Sequence, residues 1–108
     1  MKTKMMIFEW DENKDRQNFR KHGISFTEAR EVFFDVNVLF EDDRTEEGEV
    51  RGWAIGRLLD QAVIVVVHVS RDEYGEEIIR IISARKAGPN ERERYFRQAL
   101  GGEATTGR

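Results

Sequence analysis

None of the 108 residues is a cysteine, which excludes disulfides, thiolate nucleophiles and zinc sites built on sulfur. Two histidines, His22 and His68, are the only imidazoles, too few for a structural zinc site of their own. No apolar run approaches the roughly 18 residues of a membrane-spanning helix. In "MKTKMMIFEW" the short apolar stretch is cut off by acidic residues before it reaches the ~7–15-residue core of an export signal. These absences point to the reducing cytoplasm and to a chain with no membrane association. Gly-rich phosphate loops, HExxH and GxSxG are missing too, which removes the common nucleotide-binding, zincin and hydrolase signatures. A set of His68, Asp72 and Glu73 matches no spacing with known coordination mechanics, so neither a metal nor another cofactor is expected.

With 39% hydrophobic and 36% charged residues, the chain is apolar enough to build one modest core. A single domain over residues 1–100 is expected, followed by a flexible tail, "GGEATTGR". The net charge of −3 weighs against a wholly basic nucleic-acid binder, because phosphate affinity comes from Lys and Arg. The charge is unevenly spread, however. Acidic residues crowd "FEDDRTEEGE" (40–49), whereas basic residues outnumber acidic ones in "RIISARKAGPNERERYFR" (80–97).

Local patterns predict an α+β order. "MMIFEW" reads as a strand, and a polar helix follows with Asp11 as N-cap and Gly23 as stop. "SFTE" is a capping box in which Ser25 caps the amide of Glu28. Phe26, Ala29, Val32 and Phe33 then form one apolar stripe on a second helix ending near Asp35. "VNVLFED" and "VRGWAIGR" are strands, with Arg51, Trp53, Ile55 and Arg57 on one face and Gly52 and Gly56 on the other. "AVIVVVHV" is a central strand buried on both faces, paired in a hairpin with "IIRIIS". Pro89 opens a last helix. The expected architecture is an antiparallel β-meander packed by two N-terminal helices and one C-terminal helix.

Several side chains could carry chemistry, and each has a plainer reading. His68 interrupts the valine run and is more simply a core residue than a catalyst. Arg71 leaves the sheet where a guanidinium can reach over a cleft, or can pair with a neighbouring carboxylate. Strict alternation puts Arg80 and Arg85 on opposite faces, with Arg80 exposed or ion-paired. Ser83, Arg85 and Lys86 gather just before a helix N-terminus, which suits a phosphate and equally suits a solvated basic turn. Tyr95 on the last helix can stack on a base or pack on the sheet. His22, beside Lys21 at the end of the first helix, either complements the helix dipole or protonates a leaving oxygen.

"FEWDENKDRQNFRKHGISFTEAREVF" and "GRLLDQAVIVVVHVSRDEYGEEIIRIISARKAGPNERERYF" together resemble the BrnT family of ribonuclease toxins, related in fold to RelE toxins. The resemblance implies a RelE-like α+β toxin that cleaves RNA without a metal and so inhibits translation. It also implies a BrnA-like antitoxin, a heterotetramer of two toxins and two antitoxins, and DNA contact only through the antitoxin. Carried over, the catalytic set would be His22, Arg71, Arg85 and Lys86, with Lys21, Arg80, Ser83 and Tyr95 binding RNA or phosphate. A noncatalytic module that holds antitoxin or nucleic acid is the alternative.

Overall fold

The structure is a computed structural model that describes residues 4–101, so the expected tail, from residue 102 on, lies outside the described residues. Strand β1 (Met6–Glu9) leads into helix α1 (Glu12–His22), started by Asp11, whose carboxylate accepts from Asn13 N at 2.7 Å and Lys14 N at 3.2 Å. Gly23, at φ +74°, closes it in the left-handed conformation that glycine adopts without steric cost. Phe19 stays 56% exposed. What anchors α1 is Asn18, buried, whose Nδ2 donates to the carbonyls of Ile24 and Ala84 at 3.0 and 2.9 Å. Its Oδ1 accepts from Ala84 N at 3.0 Å, so one side chain satisfies both backbone groups of a strand edge.

Helix α2 (Phe26–Ala29) begins with Ser25 Oγ accepting from Glu28 N at 3.0 Å, as the capping pattern requires. From Arg30 to Phe34 it tightens into a 3₁₀ turn, yet Phe26, Ala29, Val32 and Phe33 all remain buried. Gly56 permits that approach: a Cβ there would meet Val32 Cγ1 at 2.8 Å. The chain continues through β2 (Leu39–Glu46), β3 (Glu49–Arg57), β4 (Val63–Glu73) and β5 (Glu76–Lys86) to helix α3 (Pro89–Phe96) and a π turn, Arg97–Gly101.

The sheet order is β1-β5-β4-β3-β2. The meander β2 to β5 is antiparallel as expected, but β1 pairs parallel to β5, with Phe8 opposite Ile79. The sheet is therefore mixed. Alternation identifies a strand but not its partner, and β1 pairs with a strand about 70 residues away, beyond what local pattern reaches. The helices also divide between the two faces. One face carries the larger core, in which Phe26, Ala29, Val32 and Phe33 pack on Ala54, Ile64, Val66 and Ile81. On the other, Tyr95 of α3 packs on Ile55, Val63 and Val65. Residues 63–66 are buried throughout, which is why β4 reads as an unbroken β-branched run.

One irregularity positions the site. Val67 pairs with Ser83 but His68 pairs with Ile81, so β5 holds an extra residue, Ile82, in a bulge. The shift moves Ser83 and Arg85 onto the face that bears Arg80. The expectation of opposite faces for Arg80 and Arg85 fails for this reason: Arg80 lies opposite Val69 and Arg85 opposite Val65, two residues of equal parity on β4.

Candidate functional site

α3 covers only the end of its face near Val63 and Val65, and the remainder of that face is rich in arginine. Arg44, Arg51, Val69, Arg80 and Glu9 occupy one row straight across all five strands. The next row towards α3 holds Trp53, Val67 and Ser83, and the row beyond it ends at Arg85. On the far side of the arginine row, Arg71 stands opposite Ile78. A shallow cleft of about 230 Å³, lined by Arg44, Glu49, Arg51 and Val69 among others, lies beside the row.

Arg71 and Arg80 converge on one carboxylate. Arg71 Nη1 donates to Glu9 Oε2 at 3.2 Å, and Arg80 Nε lies 3.7 Å from the same oxygen. Glu49 Oε2 is 3.8 Å from Arg80 Nη2, and Glu73 Oε2 is 3.7 Å from Arg71 Nε. Apart from the 3.2 Å contact these separations exceed hydrogen-bond length, so the charges are balanced while most N–H donors stay uncommitted. Arg80 Nε is in fact buried without any hydrogen-bond partner among the described residues. Glu9, through its hydrogen bond first and its charge second, raises the pKa of Arg71 and holds the guanidinium cationic. Two converging guanidiniums with spare donors can bind a phosphate or a developing oxyanion.

Arg85 is placed differently. Its Nη1 and Nη2 bond both oxygens of Glu91 at 2.8 Å each, and Glu91 Oε1 also accepts from Gly88 N at 2.8 Å, closing the cap of α3. The Arg85 hydrogen bond, aided by Gly88 N–H, holds the Glu91 carboxyl down to about 2 against the opposing effect of burial. Lys86 lies opposite Ile64 and projects from the other face, exposed. Arg71 and Val65, the partner of Arg85, are six positions apart on β4, a span of roughly 20 Å at ~3.3 Å per residue. The structure therefore does not bring Arg71 and Arg85 together. His22, one turn past Asn18 on α1 and half-buried, belongs with Lys21 to the Arg85–Lys86 end.

Tyr95 corrects the base-stacking expectation. It is fully buried, and its hydroxyl donates to Asp35 Oδ2 at 2.5 Å. Asp35 also accepts from Asn37 N and Arg57 N; these bonds lower its pKa even though burial pushes it upward. Burial and the Asp35 contact both raise the pKa of Tyr95, which stays a neutral donor. Ser83 is half-buried on the arginine face, between the two ends. No three His, Asp or Glu side chains among the described residues are grouped to hold a metal ion. Sequence reasoning missed Glu49 and Arg44 as members of the cluster; the available signal was the shared face of Arg51 and Trp53, which the structure bears out.

A family model described as the ribonuclease toxin, BrnT, of type II toxin–antitoxin systems matches residues 10–91. The chain belongs to the BrnT family. The match spans α1 to the start of α3 and includes Arg71, Arg80, Arg85 and Glu91, while Glu9 lies one residue before it. Membership makes the chain a ribonuclease toxin with RNA as substrate and an antitoxin as partner. No curated protein matches the chain. No helix among the described residues is long and apolar enough to cross a membrane.

Proposed function

We propose that this BrnT toxin cleaves RNA on the arginine face, with the scissile phosphate held between Arg71 and Arg80. The observation that carries this reading is their convergence on Glu9, with the Nε of Arg80 left unpartnered. An incoming phosphate replaces the carboxylate between the guanidiniums and frees Glu9 as the base. Glu9 then removes the proton from the 2′ hydroxyl, whose oxygen attacks the adjacent phosphorus while the bond to the 5′ oxygen breaks. The leaving oxygen takes a proton from water on the open face. The products are a 2′,3′-cyclic phosphate and a 5′ hydroxyl. Since the nucleophile is part of the substrate, no metal-bound water is required, and the arginines supply the charge stabilisation.

Trp53, 37% exposed in the row between the two ends, offers a ring for base stacking. Ser83 lies along the same track, and Arg85, with Lys21 and His22 near the same end, meets the backbone further along the RNA, while Lys86 projects from the other face and takes no part. The acidic balance of the chain favours modest RNA affinity, with a ribosome or structured substrate supplying the remainder. In this reading the fold is RelE-like and the chain one toxin domain that inhibits translation in the cytoplasm. A BrnA-like antitoxin neutralises it in a two-and-two heterotetramer and makes the DNA contacts.

The test is incubation of the purified protein with RNA in excess EDTA, beside the same RNA carrying 2′-deoxy nucleotides. Cleavage of the ribose substrate alone, leaving cyclic phosphate ends, is expected. Loss of cleavage in EDTA, or cutting of the deoxy substrate, contradicts the mechanism, and intact RNA with folded protein and bound antitoxin supports a noncatalytic module.

A further inference from the structure

Behind the arginine row, on the opposite face of the same end of the sheet, lies a cavity of about 480 Å³ that the proposed RNA site does not use. Its walls include Phe33, Phe40, Asp42, His68, Ser70 and Glu77. His68 is only 5% exposed, and neither of its ring nitrogens has a hydrogen-bond partner among the described residues. Phe33 and Phe40 stand edge-on to the imidazole, at centroid distances of 5.1 and 6.2 Å. A buried imidazole with both nitrogens unsatisfied is costly and calls for a partner group. Burial holds its pKa down to about 4, with the nearby Asp42 only partly opposing it, so the ring is neutral at pH 7 and keeps one lone pair to accept an N–H.

The surroundings define what fits. Asp42 and Glu77 have no ion-pair partner among the described residues, and neither do Glu47 and Glu76 in the two hairpins at this end, whereas Asp43, Glu46, Asp72 and Glu73 there are paired with Arg51, Arg44, Lys4 and Arg71. Asp42, Gly52 and His68 lie in register on three adjacent strands, and a Cβ on Gly52 would come within 3.2 Å of Asp42 Oδ1. Having no side chain there leaves the space between carboxylate and imidazole open. Phe40, 51% exposed, adds an aromatic wall at the mouth. Carboxylates, aromatic rings and an imidazole lone pair together suit a flat cation with several N–H donors, and a guanidinium matches better than a compact ammonium.

We propose that this pocket receives an arginine side chain of the antitoxin, anchoring it on the face opposite the RNA site. The occupant's identity rests on the toxin–antitoxin reading, while the cation specificity rests on the pocket alone. Negative charge at the rim and the unsatisfied imidazole select against an acidic or purely apolar anchor.

The test titrates the full-length protein with Nα-acetyl-arginine methylamide by NMR, beside the citrulline analogue of the same shape without the charge. Arginine is expected to shift the His68 and Phe40 ring resonances with at least tenfold higher affinity than citrulline, and Asp42→Asn with Glu77→Gln to abolish the effect. Equal binding of the two probes, or unchanged binding by the double variant, overturns the cation site. The double variant should also bind the cognate antitoxin at least tenfold more weakly while cleaving RNA at the wild-type rate without it. Unchanged antitoxin affinity overturns the docking role. If the wild type cleaves no RNA but the affinity loss appears, the ribonuclease mechanism fails and the pocket stands.

Discussion

Two arginine positions on the same sheet face, about 13–20 Å apart, are built in opposite ways. Arg85 is locked to Glu91 by two bonds of 2.8 Å, and that pair closes the N-terminus of α3. Arg71 and Arg80 share the carboxylates of Glu9 and Glu49 at 3.2 to 3.8 Å, leaving donors over. A bidentate, capping pair spends its hydrogen bonds on the fold, whereas a loose cluster keeps them for a ligand. The positive potential that "SARKAGP" suggests is thus largely answered from within, and under the proposed mechanism the reactive charge lies at the other end.

The largest effect expected from that contrast is on catalysis. Arg71→Ala and Arg80→Ala should each lower RNA cleavage by about 10²–10³-fold, as loss of a charge-stabilising donor does. Each should cost less than about 1 kcal/mol in urea denaturation, since the ion pairs are only partly buried and mostly longer than hydrogen bonds. A loss of stability as large as the loss of rate would erase the contrast.

Next comes the tether of α3. Asp35→Ala removes the acceptor for Tyr95 Oη, Asn37 N and Arg57 N and should destabilise the protein by about 3 kcal/mol. Tyr95→Phe should cost roughly 1–2 kcal/mol, and an unchanged midpoint would show that the buried hydroxyl holds nothing.

A smaller stability effect, about 1–2 kcal/mol, is expected for Arg85→Ala, with cleavage reduced less than tenfold. The Glu91 carboxyl is depressed in the folded state to about 2, so the pair's contribution is fully present above the ordinary carboxylate value of 4.5 and is lost as pH falls towards 2. Denaturation between pH 5 and 2 should accordingly show a gap between wild type and Arg85→Ala that closes on acidification. A gap independent of pH would assign the effect to something other than this pair. Smallest of all, His22→Ala should change cleavage by less than about threefold, because α1 is anchored through Asn18 to Ala84, beside Arg85 rather than beside Glu9 and Arg71. A hundredfold loss would restore it as the proton donor.

The parts of the fold that were legible in the sequence are those fixed within a turn or a strand. Asp11, Gly23 and Ser25 mark helix ends because their own backbone neighbours satisfy them. The Phe26–Phe33 stripe and residues 63–66 announce burial through periodicity alone. Asn18 escaped notice because its partner, Ala84, is 66 residues away, and a polar residue on a polar helix carries no outward sign of burial. The bulge at Ile82 is likewise invisible locally, yet it decides which face Arg85 takes. The Arg71–Glu9 contact spans 62 residues and depends on the parallel pairing of β1, so the cluster could not be assembled before the topology was known. Arg71 and Arg80 stand out in the sequence by their place on the strands, as does the possibility that Tyr95 only packs, which its full burial bears out.

The most direct test of the division of labour between the two ends is a side-by-side measurement of single-turnover RNA cleavage by Arg80→Ala and Arg85→Ala. A rate at least tenfold lower for Arg80→Ala, with Arg85→Ala the less stable of the two, is predicted. Equal rates, or a greater loss in Arg85→Ala under conditions where it is fully folded, would contradict the placement of the reaction at the Arg71–Arg80–Glu9 cluster.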